Sequence, residues 1–153
     1  MNDAVEIANL VYTYAERIDL GDFAGVGALF ERAVITTDPE QGGETRGSDA
    51  ATRMYSEWTR VYADPRSPTG RTLHTKHVTT NLQIHLDASR RTARTRSYFT
   101  VLMRTGALPL QPIIAGRYHD EFEKIDGRWA FTRRHIITDL FGNLSEHLLL
   151  KLE

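Results

Sequence analysis

Apolar positions recur at helical spacing through residues 3–20: Ala8, Val11, Tyr12 and Ala15 stand at i, i+3, i+4 and i+7 and predict one buried stripe. Asp19 is the next position on that stripe. Asp3-Ala4-Val5-Glu6 has the spacing of a capping box at the helix start, and Gly21 closes the helix. A short second helix follows with Phe23, Val26, Leu29 and Phe30 on one side. Gly25 and Gly27 weaken it, so packing has to hold it. Residues 33–37 read as a strand ended by Pro39, and 41–47 as a glycine-rich turn. Ser48 then predicts an N-cap for a third helix to about Tyr62, buried through Met54, Trp58 and Val61. Residues 64–70, with two prolines, form a loop.

From Arg71 the period changes from helical to two. Four long strand segments are predicted, at 71–86, 91–104, 112–125 and 129–139, the last two joined by the hairpin signal Asp126-Gly127. The second segment alternates: Ala93, Ser97, Phe99, Val101 and Met103 share one face, and Arg94, Arg96 and Arg104 share the other. A last amphipathic stretch, 145–152, is expected to be a short helix. Helices first and an antiparallel meander afterwards define an α+β chain. The expected architecture is a cone: a strongly curved sheet with three helices on its concave face and an open mouth suited to a small molecule.

Composition adds limits. At 153 residues one domain over 1–153 is expected. The formal net charge of −1 gives no electrostatic case for nucleic acid or an anionic membrane. With no cysteine, disulfides, thiolate nucleophiles and cysteine-based metal sites are excluded. No signal-peptide pattern or membrane-length apolar run is visible, so a cytoplasmic protein is expected.

Asp19 is the first candidate for chemistry. A carboxylate facing a core is costly unless it is hydrogen-bonded or its charge is shared. It could cap a neighbouring backbone, pair with an arginine, or orient a histidine such as His77. Strand parity complicates the third reading. His77 shares parity with Thr79, Asn81, Gln83 and His85, whereas Leu82, Ile84 and Leu86 look like the packed face. A β-bulge that switches faces would bring His77 inward; without one it lies on the outer face or in an interface. His74 and His77, three apart, point to opposite faces of a regular strand, so no shared metal is expected despite six histidines. His119 is expected on the polar outer face, His135 facing away from Arg134, and His147 as surface polarity.

Two further stretches, His74-Thr75-Lys76-His77-Val78-Thr79-Thr80-Asn81 and Gly116-Arg117-Tyr118-His119-Asp120-Glu121-Phe122-Glu123, precede Asp126-Gly127-Arg128-Trp129. With the aspartate near the end of helix one, they resemble the SnoaL-like branch of the nuclear transport factor 2-like superfamily, closest to the group of scytalone dehydratase and hexachlorocyclohexane dehydrochlorinase. The resemblance spans essentially the whole chain. It implies that Asp19 is the dyad aspartate, His77 the histidine base, and Arg134 an arginine that receives departing negative charge. Tyr14 stands where the dehydrochlorinase has a lysine, so Tyr14 and Tyr118 could instead activate a substrate oxygen. Arg134 could equally be an ion-pair partner of Asp19 or Asp120.

The resemblance therefore implies a lyase or isomerase that uses neither a cofactor nor a metal, with His77, Asp19 and Arg134 catalytic. Tyr14, Tyr118, Trp58 and Phe99 would line the site of a small, hydrophobic, aromatic or polyketide-like substrate. A homo-oligomer, dimer or trimer, is expected. The alternatives are a non-catalytic ligand-binding protein and a scaffold like the small subunit of ring-hydroxylating dioxygenases.

Overall fold

A computed structural model describes residues 2–38 and 43–149. Its elements are α1 (Asp3–Asp19), α2 (Phe23–Leu29), β1 (Val34–Thr37), β2 (Glu44–Arg46), α3 (Gly47–Trp58), β3 (Tyr62–Ala63), β4 (Arg71–Thr72), β5 (Thr75–Leu86), β6 (Thr92–Met103), β7 (Gln111–Ile125) and β8 (Arg128–Phe141). Six strands form one sheet in the order β2-β1-β8-β7-β6-β5, and β3 pairs with β4 alone. The β1–β8 pair is parallel; the other pairs in the large sheet are antiparallel. This is the expected α+β architecture.

The β5–β8 meander follows its alternation closely. Ala93, Thr95, Ser97, Phe99, Val101 and Met103 of β6 are buried toward the helices, and Arg94 and Arg96 face out. Asp126 and Gly127 both have positive φ, 50° and 79°, as a two-residue type I′ turn requires. Register shifts interrupt β5–β6 between Thr80 and Gln83, β6–β7 between Val101 and Leu102, and β7–β8 at Ala115/Gly116 and Glu121/Phe122. Bulges of this kind bend and twist a sheet, and the helices occupy the resulting hollow. Ile7, Val11 and Ile18 of α1, Phe30, and Phe122 and Phe131 of the sheet belong to one core cluster.

Several expectations are corrected. The α1 cap is Asn2, whose side chain accepts from Ala4 N; there is no Asp3–Glu6 capping box. Both acids instead reach the far hairpin. Glu6 accepts from Trp129 N at 2.7 Å, and Asp3 from Trp129 Nε1 at 3.0 Å and Lys124 Nζ at 2.9 Å. Hydrogen bonds from Trp129 and Lys124 hold the Asp3 carboxyl well below its usual range. The buried stripe is rotated from the expected one: Ile7, Val11, Tyr14, Ala15, Ile18 and Asp19 are inside, while Tyr12 is 46% exposed.

Part of the glycine-rich turn is strand β2, because it pairs with β1; Pro39 and Gln41 lie outside the described residues. Helix α3 starts at Gly47 without a side-chain cap and stops at Trp58, so Val61 and Tyr62 are not helical. The 71–86 segment is broken at His74, which has a φ of 56°, into β4 and β5. Residues 145–149 form no helix. They are a turn followed by a bridge between Leu148 and Thr59, and 150–152 lie outside the described residues.

Candidate active site

Asp19 is the last residue of α1, and its carboxylate meets the start of β5. It accepts from Thr75 Oγ1 at 2.8 Å, from the His77 backbone N–H at 3.0 Å, and lies 2.6 Å from His77 Nδ1. An ionised carboxylate only accepts, so this contact places a ring proton of His77 on Nδ1, and in the neutral ring the lone pair is then on Nε2. The side chains of His77 and Asp19 are 9% and 10% exposed. The face-switching bulge is present: β5 shifts register between Thr80 and Gln83, and Asn81 adopts a φ of 54°. Before it Thr75 and His77 face α1; after it Leu82, Ile84 and Leu86 are the half-buried side.

His77 opens on a cavity of about 130 Å³. One wall is Phe99 stacked on Tyr118, with ring centroids 4.5 Å apart. Tyr14 stands edge-on to both His77 and Tyr118, at 6.5 and 5.9 Å between centroids. Its hydroxyl lies 2.8 Å from that of Tyr55. Trp58 and His147 complete the mouth side. Burial, reinforced by Tyr14, pushes the Tyr55 and Tyr118 hydroxyls well above the ordinary tyrosine range. They remain neutral hydroxyls, able to donate to a substrate oxygen.

Arg134 lies beneath this wall and is not among the residues lining the cavity. It is fully buried and makes a bidentate pair with Asp120, at 2.8 and 2.9 Å. Its guanidinium carbon is 3.8 Å from the Tyr118 ring centroid and 4.3 Å from that of Tyr14. Burial works against its charge, but Asp120 outweighs that and raises the pKa further. Nη1 is buried without a hydrogen-bond partner among the described residues. The rings of Tyr14 and Tyr118 therefore stand between the guanidinium and the cavity.

A profile of the SnoaL-like domain matches residues 1–135. The chain belongs to the SnoaL-like family. A search of the curated proteins finds no match. Among solved structures, this SnoaL-like chain is similar to a "Putative Scytalone Dehydratase" from Novosphingobium aromaticivorans, with 24% identity, a TM-score of 0.66, and 90% of this chain and 84% of that one covered. It is also similar to LinA (20%, TM-score 0.68, 93% and 89% covered). A cystatin-like protein of unknown function from Nostoc punctiforme is a third neighbour (20%, 0.72, 92% and 94%). At these identities the likeness establishes the fold.

Of the residues singled out in the sequence, the SnoaL-like fold brings Tyr14, Trp58, His77, Phe99 and Tyr118 onto one cavity, with Asp19 behind His77 and Arg134 behind the tyrosines. His74 is exposed and packs on Tyr62, and His135 bonds Thr36 Oγ1 away from the cavity. Among the described residues no group of three or more His, Asp or Glu side chains is arranged to hold a metal.

Among the lining residues that sequence reasoning missed, Tyr55 and His147 bear on the chemistry. Tyr55 was legible in principle, since Ala51, Tyr55 and Trp58 have helical spacing. His147 was not. It follows the last strand in a stretch whose amphipathic pattern reads as a helix, and only the bridge from Leu148 to Thr59, just after α3, turns it inward. The expectation of surface polarity is corrected: His147 is 7% exposed and 6.2 Å from His77 between ring centroids.

Proposed function

We propose that this protein is a cofactor-independent lyase or isomerase that removes a proton from carbon in a small hydrophobic substrate. The observation that carries this reading is the Asp19–His77 contact of 2.6 Å on the edge of an aromatic cavity. His77 Nε2 is the general base, and Asp19 fixes its tautomer and stabilises the imidazolium that forms. The electron pair released from the C–H bond moves toward an adjacent substrate oxygen, to which Tyr118 and whichever of Tyr14 and Tyr55 does not donate to the other can donate. Arg134, behind two of these rings, favours negative charge developing there. The imidazolium then returns its proton to another carbon, which is isomerisation, or to a departing hydroxide, which yields water and is dehydration. The neighbour bearing a dehydratase name supports the second outcome.

Cavity size bears on the substrate. A cavity of ~150 Å³ holds one benzene ring, so about 130 Å³ is of the size for a single six-membered ring. The exposed side chains Tyr98, Leu140 and Phe141 support self-association; a monomer in analytical ultracentrifugation would remove that expectation.

The test is exchange of α-protons in D2O over a set of single-ring ketones and β-hydroxy ketones. Wild type should catalyse exchange with at least one of them, and His77→Gln should abolish it. Saturable binding of such rings with no exchange would instead support a non-catalytic binding protein.

A further inference from the structure

The stretch after β8 is a strap across the cavity mouth, and its fastening is specific. Arg60 N donates to His147 O at 2.8 Å, Leu149 N donates to Trp58 O at 2.8 Å, and Leu148 bridges Thr59. The Tyr62 hydroxyl bonds the backbone oxygen of Glu146 and also its carboxylate, the latter at 3.0 Å. Every one of these contacts lies between the strap and the end of α3 or the start of β3. Together they hold the segment on both sides of one residue, His147, and aim its ring at the cavity.

The His147 ring lines the cavity with no hydrogen-bond partner among the described residues. Asp19, Tyr14, Tyr55 and His77 all have side-chain partners, whereas no hydrogen bond within the described residues reaches the His147 ring. Its Nδ1 is sealed from solvent with nothing to bond. One tautomer seals an N–H donor with nothing to bond and the other seals only a lone pair, and buried N–H groups without a partner are the rarer case in folded proteins. The favoured tautomer thus keeps the proton on Nε2, the nitrogen that is not sealed. Burial first, and then the neighbouring His77, push its pKa down to about 3, so the ring is neutral near pH 7. A neutral imidazole N–H is a hydrogen-bond donor that brings no full charge into the site, which suits an oxygen that gains charge only during reaction. At 6.2 Å between centroids, the two imidazoles are too far apart to bond each other. They are close enough to address neighbouring atoms of one substrate group.

We propose that His147 is a substrate-binding and catalytic residue whose Nε2–H holds the carbonyl oxygen of a single-ring ketone while His77 faces the adjacent carbon. This rests on the acid/base reading of His77 for its catalytic half. In the step, His77 Nε2 takes the proton from the α-carbon, the C–H electron pair becomes the enolate double bond, and the carbonyl π pair moves onto oxygen. His147 donates to that oxygen throughout and transfers no proton. The substrate class follows: a neutral ring bearing a carbonyl with an α-hydrogen, not a carboxylate or an amine.

Phenol serves as the probe, because its oxygen sits on an sp² ring carbon as an enol oxygen does; toluene replaces that hydroxyl with a methyl group of similar size. Both are titrated by NMR into wild type, His147→Phe, His147→Gln and His77→Gln, with histidine ¹⁵N resonances followed. In wild type, phenol should bind more tightly than toluene and shift the His147 Nε2 resonance. His147→Phe should weaken phenol about tenfold, the worth of one hydrogen bond, and leave toluene within about twofold. His147→Gln keeps a donor and should recover part of the preference. His77→Gln should keep it. Equal loss of phenol and toluene in His147→Phe, an unmoved His147 resonance in a phenol-saturated sample, or no phenol binding to wild type would each overturn the proposal. A His147-dependent phenol preference without α-proton exchange in any ketone would sink the enzyme reading and leave the oxygen subsite standing.

Discussion

Asp19 Oδ1 lies 2.6 Å from Nδ1 of His77, and the same carboxylate accepts the His77 backbone N–H and the Thr75 hydroxyl. One side chain at the end of α1 therefore fixes both the ring and the main chain of β5. Asp19→Asn should retain the fold but present the wrong acceptors. His77 should shift toward its other tautomer, visible in ¹⁵N NMR, and any exchange activity should fall by ~10²–10⁴, as for orienting carboxylates elsewhere. Asp19→Ala should also cost about 2–3 kcal/mol in urea denaturation, because three donors lose a charged acceptor. An Asn variant with unchanged tautomer and activity would remove Asp19 from the mechanism.

Asp120 and Arg134 are both fully buried and bonded in two places. Breaking such a pair from one side strands a charge. Asp120→Ala or Arg134→Ala should each destabilise the protein by about 3–5 kcal/mol. The pair Asp120→Leu with Arg134→Met should recover much of that loss. If Arg134 acts only as a structural pin, the recovered double variant should also recover exchange activity. The charge-through-aromatics reading predicts a stable protein with reduced kcat.

His147 gives the protein an acid sensitivity. Its folded-state pKa of about 3 lies below the unfolded value of 6.5 through burial and the proximity of His77, opposed by Asp19. Between those two values the unfolded chain binds a proton that the folded chain refuses. Stability contributed by this group is therefore complete above about pH 6.5 and falls as pH drops toward 3, by at most ~1.4 kcal/mol per pH unit. Denaturant midpoints should drop between about pH 7 and pH 5 in wild type, and His147→Phe should flatten that slope. Parallel slopes in the two proteins would contradict the placement of the ring.

Gly116 stands at a register shift between β7 and β8. A β-carbon there would press on the Ile137 carbonyl oxygen and on the Phe99 ring. Gly116→Ala should lower stability by about 1–3 kcal/mol and displace Phe99 from its stack on Tyr118. Ring-current shifts of Tyr118 would report the displacement. This gives the Gly-x-Tyr spacing in β7 a physical basis: the glycine leaves room for the wall that the tyrosine builds.

Much of this arrangement was legible along the chain. The alternation in β6 named its inward residues, because a period of two on a half-buried strand leaves no other way to bury Phe99, Val101 and Met103. Asp126-Gly127 announced its turn because few residue pairs tolerate two positive φ angles. The inward turn of His77 was legible only as a conditional. Parity put it on the wrong face unless β5 carried a bulge, and the bulge depends on how β5 pairs with β6.

The sequence by itself determined the α+β order, the meander, and a polar group on the buried face of α1, since these follow from local period and turn chemistry. Tertiary structure alone decided what Asp19 meets, that Arg134 faces Asp120 rather than the cavity, and that His147 is drawn inside. Those outcomes depend on contacts between residues 14 to 58 positions apart, or on a bridge from the last turn back to α3. Periodicity reports which face a residue occupies, and pairing across the fold decides what stands opposite that face.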